Sequence, residues 1–237
     1  MHPPALRGHD GFRDLPPGEL RDRFEALARR AGVAIARIRI AGGAAPPARL
    51  VGLLSRRPVV DLAEGLLAPG SLEDAEAAFA HEIAHGAAGH PRLLALAAAA
   101  LILLAFPLGK ATTALPAWLG IPVALAVYIL LLWGTILLGL LRRFEGEADV
   151  AAADLIGAER YARAVRRVFG SGGGAAVSIR HPAVEARACL VLACRSGDPR
   201  REAFLRRGLW IRRAILAGLG ASALLAAVTL AAGWIPR

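Results

Sequence analysis

Three side chains in the stretch AFAHEIAHGAAGH, residues 78–90, are of the right types and spacing to do chemistry together. His81 and His85 are four apart, so on a helix both imidazoles project from one face about one turn apart. Two ligands of a tetrahedral zinc require that geometry. Glu82 sits beside the first, where its carboxylate can act as general base on a water that zinc has acidified towards a pKa of about 7. Two histidines on an amphipathic helix can also simply pack, so the pentapeptide alone leaves both readings open. A catalytic zinc takes three protein ligands and keeps its fourth position for water. The stretch RRFEGEADVAAADLIG, residues 142–157, offers Glu145 and Asp149 four apart on a second helix. Glu145 suits the third ligand. Asp149, one turn on, suits the acceptor that orients a ligand histidine through its other ring N–H. The competing reading is that these acids are solvated partners of Arg142 and Arg143, and for Glu147 it is the preferred one.

The elements that must position these groups are legible upstream. Ser71 as N-cap with Asp74 three residues on makes a capping-box-like start to the helix that carries HEIAH. Residues 15–33, LPPGELRDRFEALARRAGV, read as an amphipathic helix begun through proline and stopped near Gly32, with Leu20, Phe24 and Leu27 as its apolar stripe. VAIARIRI (33–40), ARLVGLL (48–54) and PVVDL (58–62) read as short strands. The expected fold class is therefore α+β, predominantly helical, with a small edge sheet.

Three apolar runs follow: Leu93–Leu108, Ala117–Leu141 and Leu209–Trp234. A transmembrane helix needs about 20 apolar residues, with a lower limit near 17. The first run is short unless it continues the preceding helix or runs on to Leu115; the second is ample. The third has Trp210 and Trp234 near its ends, roughly 36 Å apart along a helix, a separation that suits interfacial anchors. Arg142 and Arg143 follow the second run; Arg206, Arg207, Arg212 and Arg213 surround the start of the third; the 109–116 connection carries only Lys110. Positive charge prefers the cytoplasm, so the expected organisation is a cytoplasmic part over 1–91 and a two-span hairpin over 92–141. A cytoplasmic helical part over 142–208 and a C-terminal span over 209–237 follow. Two spans between them return residues 85 and 145 to one side, the parity a shared metal demands. The alternative, a buried core hairpin, is opposed by the unbroken apolarity of 117–141. GSGGGAAV (170–177) reads as a flexible loop between two cytoplasmic helices; no internal repeat is visible.

Composition narrows the partners. Of 237 residues, 56% are apolar, too many for an ordinary soluble domain. The net charge of +10 is carried almost wholly by arginine, with Lys110 the single lysine. No basic cluster is interleaved with aromatics, which argues against nucleic acid. The Arg, Ala and Gly bias is that of a GC-rich genome, and a bacterial cell membrane is the expected location. The chain contains neither Asn nor Gln. Cys189 and Cys194, five apart, fall on different helical faces and are expected to be small buried hydrophobes in a reducing compartment. MHPPALRGHDGFRDLPPGEL has no apolar core of a signal peptide, so the N-terminus is expected to stay in the cytoplasm.

The order HEIAHGAAGH, two apolar runs, RRFEGEADVAAADLIG and then HPAVEAR resembles the HtpX-like and CaaX-prenyl-protease-like family of integral-membrane zinc metallopeptidases. That family pairs HExxH with a distal ExxxD and a His-Pro pair followed by an arginine. The similarity covers roughly residues 15–190 and leaves out the third apolar run. It implies a membrane-embedded zincin-like fold and one zinc per chain on His81, His85 and Glu145, with Glu82 as base and Asp149 behind a ligand. It further implies His181 as the group that stabilises the tetrahedral oxyanion, with Arg187 supporting it. A donor so placed contributes several kcal/mol of transition-state stabilisation, on the order of 3–4. The alternative for His181 is a residue that merely precedes a helix at Pro182. His90 matches a histidine frequent after HExxH in the family; two and a half turns beyond His81, it is read as structural. One departure concerns the cleft's rim, where the family often has Asn-Ala-x-x-x-Gly. Here Pro47 replaces the Asn before Ala48–Gly52, consistent with an edge strand. Arg49, Leu50, Val51, Gly52 and Leu53 are expected to offer that edge to an extended substrate by strand addition.

The expectation is thus an integral-membrane zinc endopeptidase with a cytoplasm-facing site, hydrolysing peptide bonds of membrane-associated or cytoplasmic polypeptides. A site-2-type intramembrane protease is the first alternative. It would bury HExxH in a spanning helix, whereas SLEDAEAAF places acids that belong outside lipid just before it. A non-catalytic sensor or scaffold that keeps the fold, and a membrane protein with a chance HEIAH, are the others. Quality control, leader-peptide processing and prenylated-peptide processing all remain open as roles. The small residues of AGLGASA (217–223) offer a packing face for a homo-oligomer or membrane partner through the third span.

Overall fold

Period-two alternation builds the first layer. Ile38 and Ile40 of one strand and Val60 and Leu62 of another face inward and are buried, while Arg39 and Asp61 between them face the other way and pair at 2.8 Å. The structure, a computed structural model, describes residues 11–43, 46–52, 55–68, 70–112, 116–130, 137–170 and 182–233. The chain divides into two compact units, one of Met1–Pro91 with Phe144–Phe204, the other of Arg92–Arg143 with Leu205–Arg237.

In the first unit, β1 (Phe12–Asp14), β2 (Arg37–Ala41), β3 (Ala48–Val51) and β4 (Val59–Ala63) form a four-stranded sheet in the order β1-β2-β4-β3. β1 is antiparallel to β2, β2 parallel to β4, and β3 antiparallel to β4. β1 was not foreseen from sequence; three residues, two of them charged, are too short a run to display alternation. β3 is an edge strand and ends at Val51, earlier than expected, because Gly52 turns the chain at φ +96°. Pro47, which has no N–H to give, is placed where only its carbonyl is used, by the Ala63 amide. Asp61 also receives Arg49 at 2.9 Å, so one buried carboxylate ties β2, β4 and β3 together.

Helix α1 (Glu19–Arg30) and helix α2 (Leu72–Ala88) cover the sheet's inner face. A short 3-10 turn, Glu64–Leu67, links β4 to α2. Phe24 and Phe79 stack at 4.6 Å in the centre of that core; truncating either to Ala is expected to cost about 3–5 kcal/mol. Ser71 stands at the N-cap of α2 but its hydroxyl makes no capping bond, and Asp74 pairs with Arg167 instead. α5 (Leu138–Ile156) and α6 (Ala158–Gly170) share a second core with α2 and α7 (Val184–Ala193), built from Ala77, Ala80, Ala152, Ala153, Ala164, Tyr161, Val165 and Val191. The alanines let backbones approach closely. Cys194 is buried but Cys189 is exposed, correcting the expectation that both thiols are buried. Residues 171–181, with most of the glycine-rich stretch, lie outside the described residues.

The second unit holds most of α3 (His90–Thr112), α4 (Ala117–Ile129), the start of α5 and most of α8 (Pro199–Gly233). Among the described residues, two helices are long and apolar enough to cross a membrane, over His90–Ala111 and Pro199–Ala231. Only 12% and 17% of their most apolar stretches are buried, against what a soluble core helix would show. The first therefore extends beyond Leu93–Leu108 at both ends, and the second begins well before Leu209. The expected span 117–141 is described only in part, residues 131–136 and Trp234 of the third run lying outside the described residues. Trp118, Leu130, Trp210 and Leu224 are exposed.

Candidate metal centre

Helix α2 must present two imidazoles from one face while its others are packed. Phe79 and Ile83 go to the sheet, Ala77 and Ala80 to α5 and α6, and His81 and His85 remain on the side where α5 brings Glu145. Gly86 lets β3 approach this helix: a Cβ there would stand 3.3 Å from Leu50 Cδ2. Gly146 does the same for the glutamate's own turn, where an added Cβ would meet Leu190 at 3.0 Å and Phe204 at 3.3 Å.

The three candidate ligand groups converge. His81 Nε2 and His85 Nε2 are 3.1 Å apart. Glu145 places Oε2 3.3 Å from the first and Oε1 3.5 Å from the second. Zinc bonds of about 2.0–2.2 Å at tetrahedral angles separate neighbouring ligand atoms by about 3.3–3.6 Å. Two neutral imidazole nitrogens and one carboxylate oxygen at these separations are thus a donor set that fits zinc.

Behind His81 lies a buried charge cluster. His81 Nδ1 is 3.1 Å from Asp149 Oδ1 and 3.0 Å from the Tyr161 hydroxyl, which itself donates to Asp149 at 2.6 Å. Arg187 donates twice to the same carboxylate, Nε to Oδ2 at 2.9 Å and Nη2 to Oδ1 at 2.7 Å. Asp149 is 0% exposed and Arg187 2%. Burial alone would raise the Asp149 carboxyl, but Arg187 and His81 hold it well below the usual carboxylate range. Burial pushes the Tyr161 phenol well above its ordinary value, and the Asp149 charge adds to that, so the phenol stays a donor. In the metal-free chain burial lowers the His81 imidazolium, yet its bonds to Asp149 and Glu145 outweigh this and raise it to about 9.

Behind His85 the contacts differ. Its Nδ1 is 2.9 Å from Nδ1 of His90, whose Nε2 is 3.2 Å from Glu147 Oε2. Glu147, read from sequence as a solvated partner of arginines, is 8% exposed and turned inward.

Glu82 is held from the sheet: the Leu50 amide on β3 donates to its Oε2 at 2.7 Å. One N–H of the edge expected to receive substrate is thus already engaged by a side chain. Arg49, Val51 and Gly52 lie along or just after that strand, while Leu53 and His181 fall outside the described residues. Arg187, expected beside an oxyanion donor, is anchored on Asp149. Sequence reasoning missed Tyr161 and the Leu50 amide. The signal for Tyr161 was its place on the apolar stripe of α6 with Ala164 and Val165, because a buried phenol must find a partner; for a backbone amide there was none.

A family model described as Peptidase family M48 matches residues 14–193. No match was found among curated proteins. The fold is similar to that in the crystal structure of S. mikatae Ste24p, with a TM-score of 0.58 and 20% identity, over 76% of this chain and 50% of that one. The chain therefore spans half the length of that structure, and the likeness is one of fold. With more than half of its residues matched by the family's own model, this chain belongs to peptidase family M48.

Proposed function

We propose that the chain is an integral-membrane zinc endopeptidase that cleaves membrane-associated or cytoplasmic polypeptides from a site on the cytoplasmic side. The observation that carries this reading is the convergence of His81 Nε2, His85 Nε2 and the Glu145 carboxylate within tetrahedral ligand spacing, with Glu82 next to them. His81, His85 and Glu145 would hold the metal. Bound zinc supplies Lewis acidity, which lowers the pKa of water and polarises a carbonyl.

The chain's own groups do the rest. Glu82 takes the proton of the attacking water as the new C–O bond forms, and returns it to the amine nitrogen as the C–N bond breaks. The Leu50 amide on Oε2 leaves Oε1 to handle that proton. Asp149, held by Arg187 and Tyr161, keeps His81 in the tautomer whose Nε2 lone pair faces the site. By resemblance to the family, His181 donates to the oxyanion. The remaining edge of β3 receives an extended peptide.

The test uses the full chain purified in detergent. Glu82→Gln should retain zinc and lose cleavage of casein or peptides by about 10²–10⁴-fold. Cleavage indifferent to Glu82→Gln, or no cleavage from a zinc-loaded chain, removes the enzyme reading.

For topology, the proposal keeps residues 1–91 and 142–208 inside, with two spans between them and a third beyond. Lys110 is the only lysine, so an impermeant amine reagent should label it from outside intact cells. Labelling of Lys110 only after permeabilisation contradicts this arrangement.

A further inference from the structure

His90 lies opposite His81 if α2 is extrapolated as an unbroken helix, nine residues being two and a half turns. The helix is broken. Gly89 caps α2 in the left-handed region at φ +68°, and α3 starts afresh at His90. That turn swings the His90 ring back against His85, with Nδ1 to Nδ1 2.9 Å. Phe144 stacks on the ring at 4.4 Å and 10°, fixing its plane, and the residue is 2% exposed. Its far nitrogen meets the Glu147 carboxylate at 3.2 Å.

Hydrogen-bond direction in this chain of three groups has a chemical consequence. Between two Nδ1 atoms one must donate and the other accept. A carboxylate only accepts, so Glu147 favours a proton on His90 Nε2 and leaves His90 Nδ1 as a bare lone pair. Across the 2.9 Å contact, that lone pair is met by an N–H on His85 Nδ1. A neutral His85 with its proton on Nδ1 presents a lone pair from Nε2, the atom 3.1 Å from His81 Nε2. The reverse arrangement would put a proton on His85 Nε2 and block that atom as a ligand.

We propose that Glu147, acting through His90, is a positioning pair that sets the tautomer of His85 and so prepares its Nε2 to hold the metal. This rests on the reading of His81, His85 and Glu145 as the metal's ligands. It adds a second orienting carboxylate to the site, two residues beyond Glu145 and separated from its ligand by an intervening imidazole.

The experiment uses the full chain in detergent, stripped of metal and labelled with ¹⁵N-histidine, with zinc affinity then measured by competition with a chelator. In the wild type, His85 should show a single neutral tautomer protonated at Nδ1. Glu147→Leu, which removes the acceptor, should abolish that preference and weaken zinc by about 10–100-fold. Glu147→Gln keeps an acceptor oxygen and should recover most of both. His90→Phe keeps the stack on Phe144 but no nitrogen, and should weaken zinc as Glu147→Leu does. An unchanged His85 tautomer and zinc affinity in Glu147→Leu overturns the proposal, as does a Gln variant no better than Leu. A wild type that takes up no zinc removes the functional reading instead, while the tautomer in metal-free protein still decides the relay.

Discussion

His81 and His85 aim the same ring nitrogen at the same point but are held from behind in different ways. His81 leans on a carboxylate fully buried between an arginine and a phenol, contributed by α5, α7 and α6. His85 leans on another imidazole, set by a helix break, with its carboxylate one ring further away. The first arrangement couples a ligand to the charge balance of the core, and therefore to folding. The second couples a ligand to a proton's position, and therefore to metal binding with less at stake for the fold. Disturbing the two sides separately should split stability from zinc affinity.

The largest effect is expected from Asp149→Ala, which leaves Arg187 buried with only Glu145, 3.9 Å away, as a counter-charge. A loss of about 3–5 kcal/mol in denaturant unfolding of the metal-free chain is expected; a loss below about 1 would mean the cluster is not coupled to folding. Next comes pH. Folded His81 in the metal-free chain titrates near 9 against an ordinary 6.5. Its stabilisation is therefore complete below about pH 6.5 and is lost as pH rises through about 9, a change on the order of 3 kcal/mol. Asp149, held low, contributes in the opposite sense: its stabilisation is present above the usual carboxylate range and is lost on acidification. Metal-free unfolding midpoints that stay flat between pH 6.5 and 9 would contradict the His81 half of this pair.

Tyr161→Phe should cost less, about 1.5–3 kcal/mol, for one hydroxyl bonded to a charged carboxylate. The smallest stability effect belongs to the other side. Gly89→Ala forces an alanine into the left-handed region at about 1–2 kcal/mol, yet it displaces His90 and should weaken zinc more than Tyr161→Phe does. The reverse ranking in chelator competition would erase the distinction between the two sides.

How much of this was legible follows from sequence distance. Ile38, Ile40, Val60 and Leu62 declared the sheet's inner face by simple alternation, and the HEIAH helix declared that His81 and His85 are neighbours, because both are local geometry. The contacts of Tyr161 with His81 and of the Leu50 amide with Glu82 join residues 80 and 32 apart, and no local pattern reports them. His90 misled for a sharper reason. Its phase was counted along one continuous helix, and the glycine at 89, which is open to positive φ, resets that phase. Glu147 misled because two arginines stand just before it in sequence, while burial was decided by the packing of α5. Arg187 was marked by its motif, but its grip on Asp149 is a matter of tertiary placement.

The central claim is that His81, His85 and Glu145 together hold one metal ion, and zinc content tests it most directly. The purified chain should carry one zinc, and Glu145→Ala should lose it while remaining folded. A chain with no zinc, or with zinc undiminished by Glu145→Ala, would contradict the account at its root.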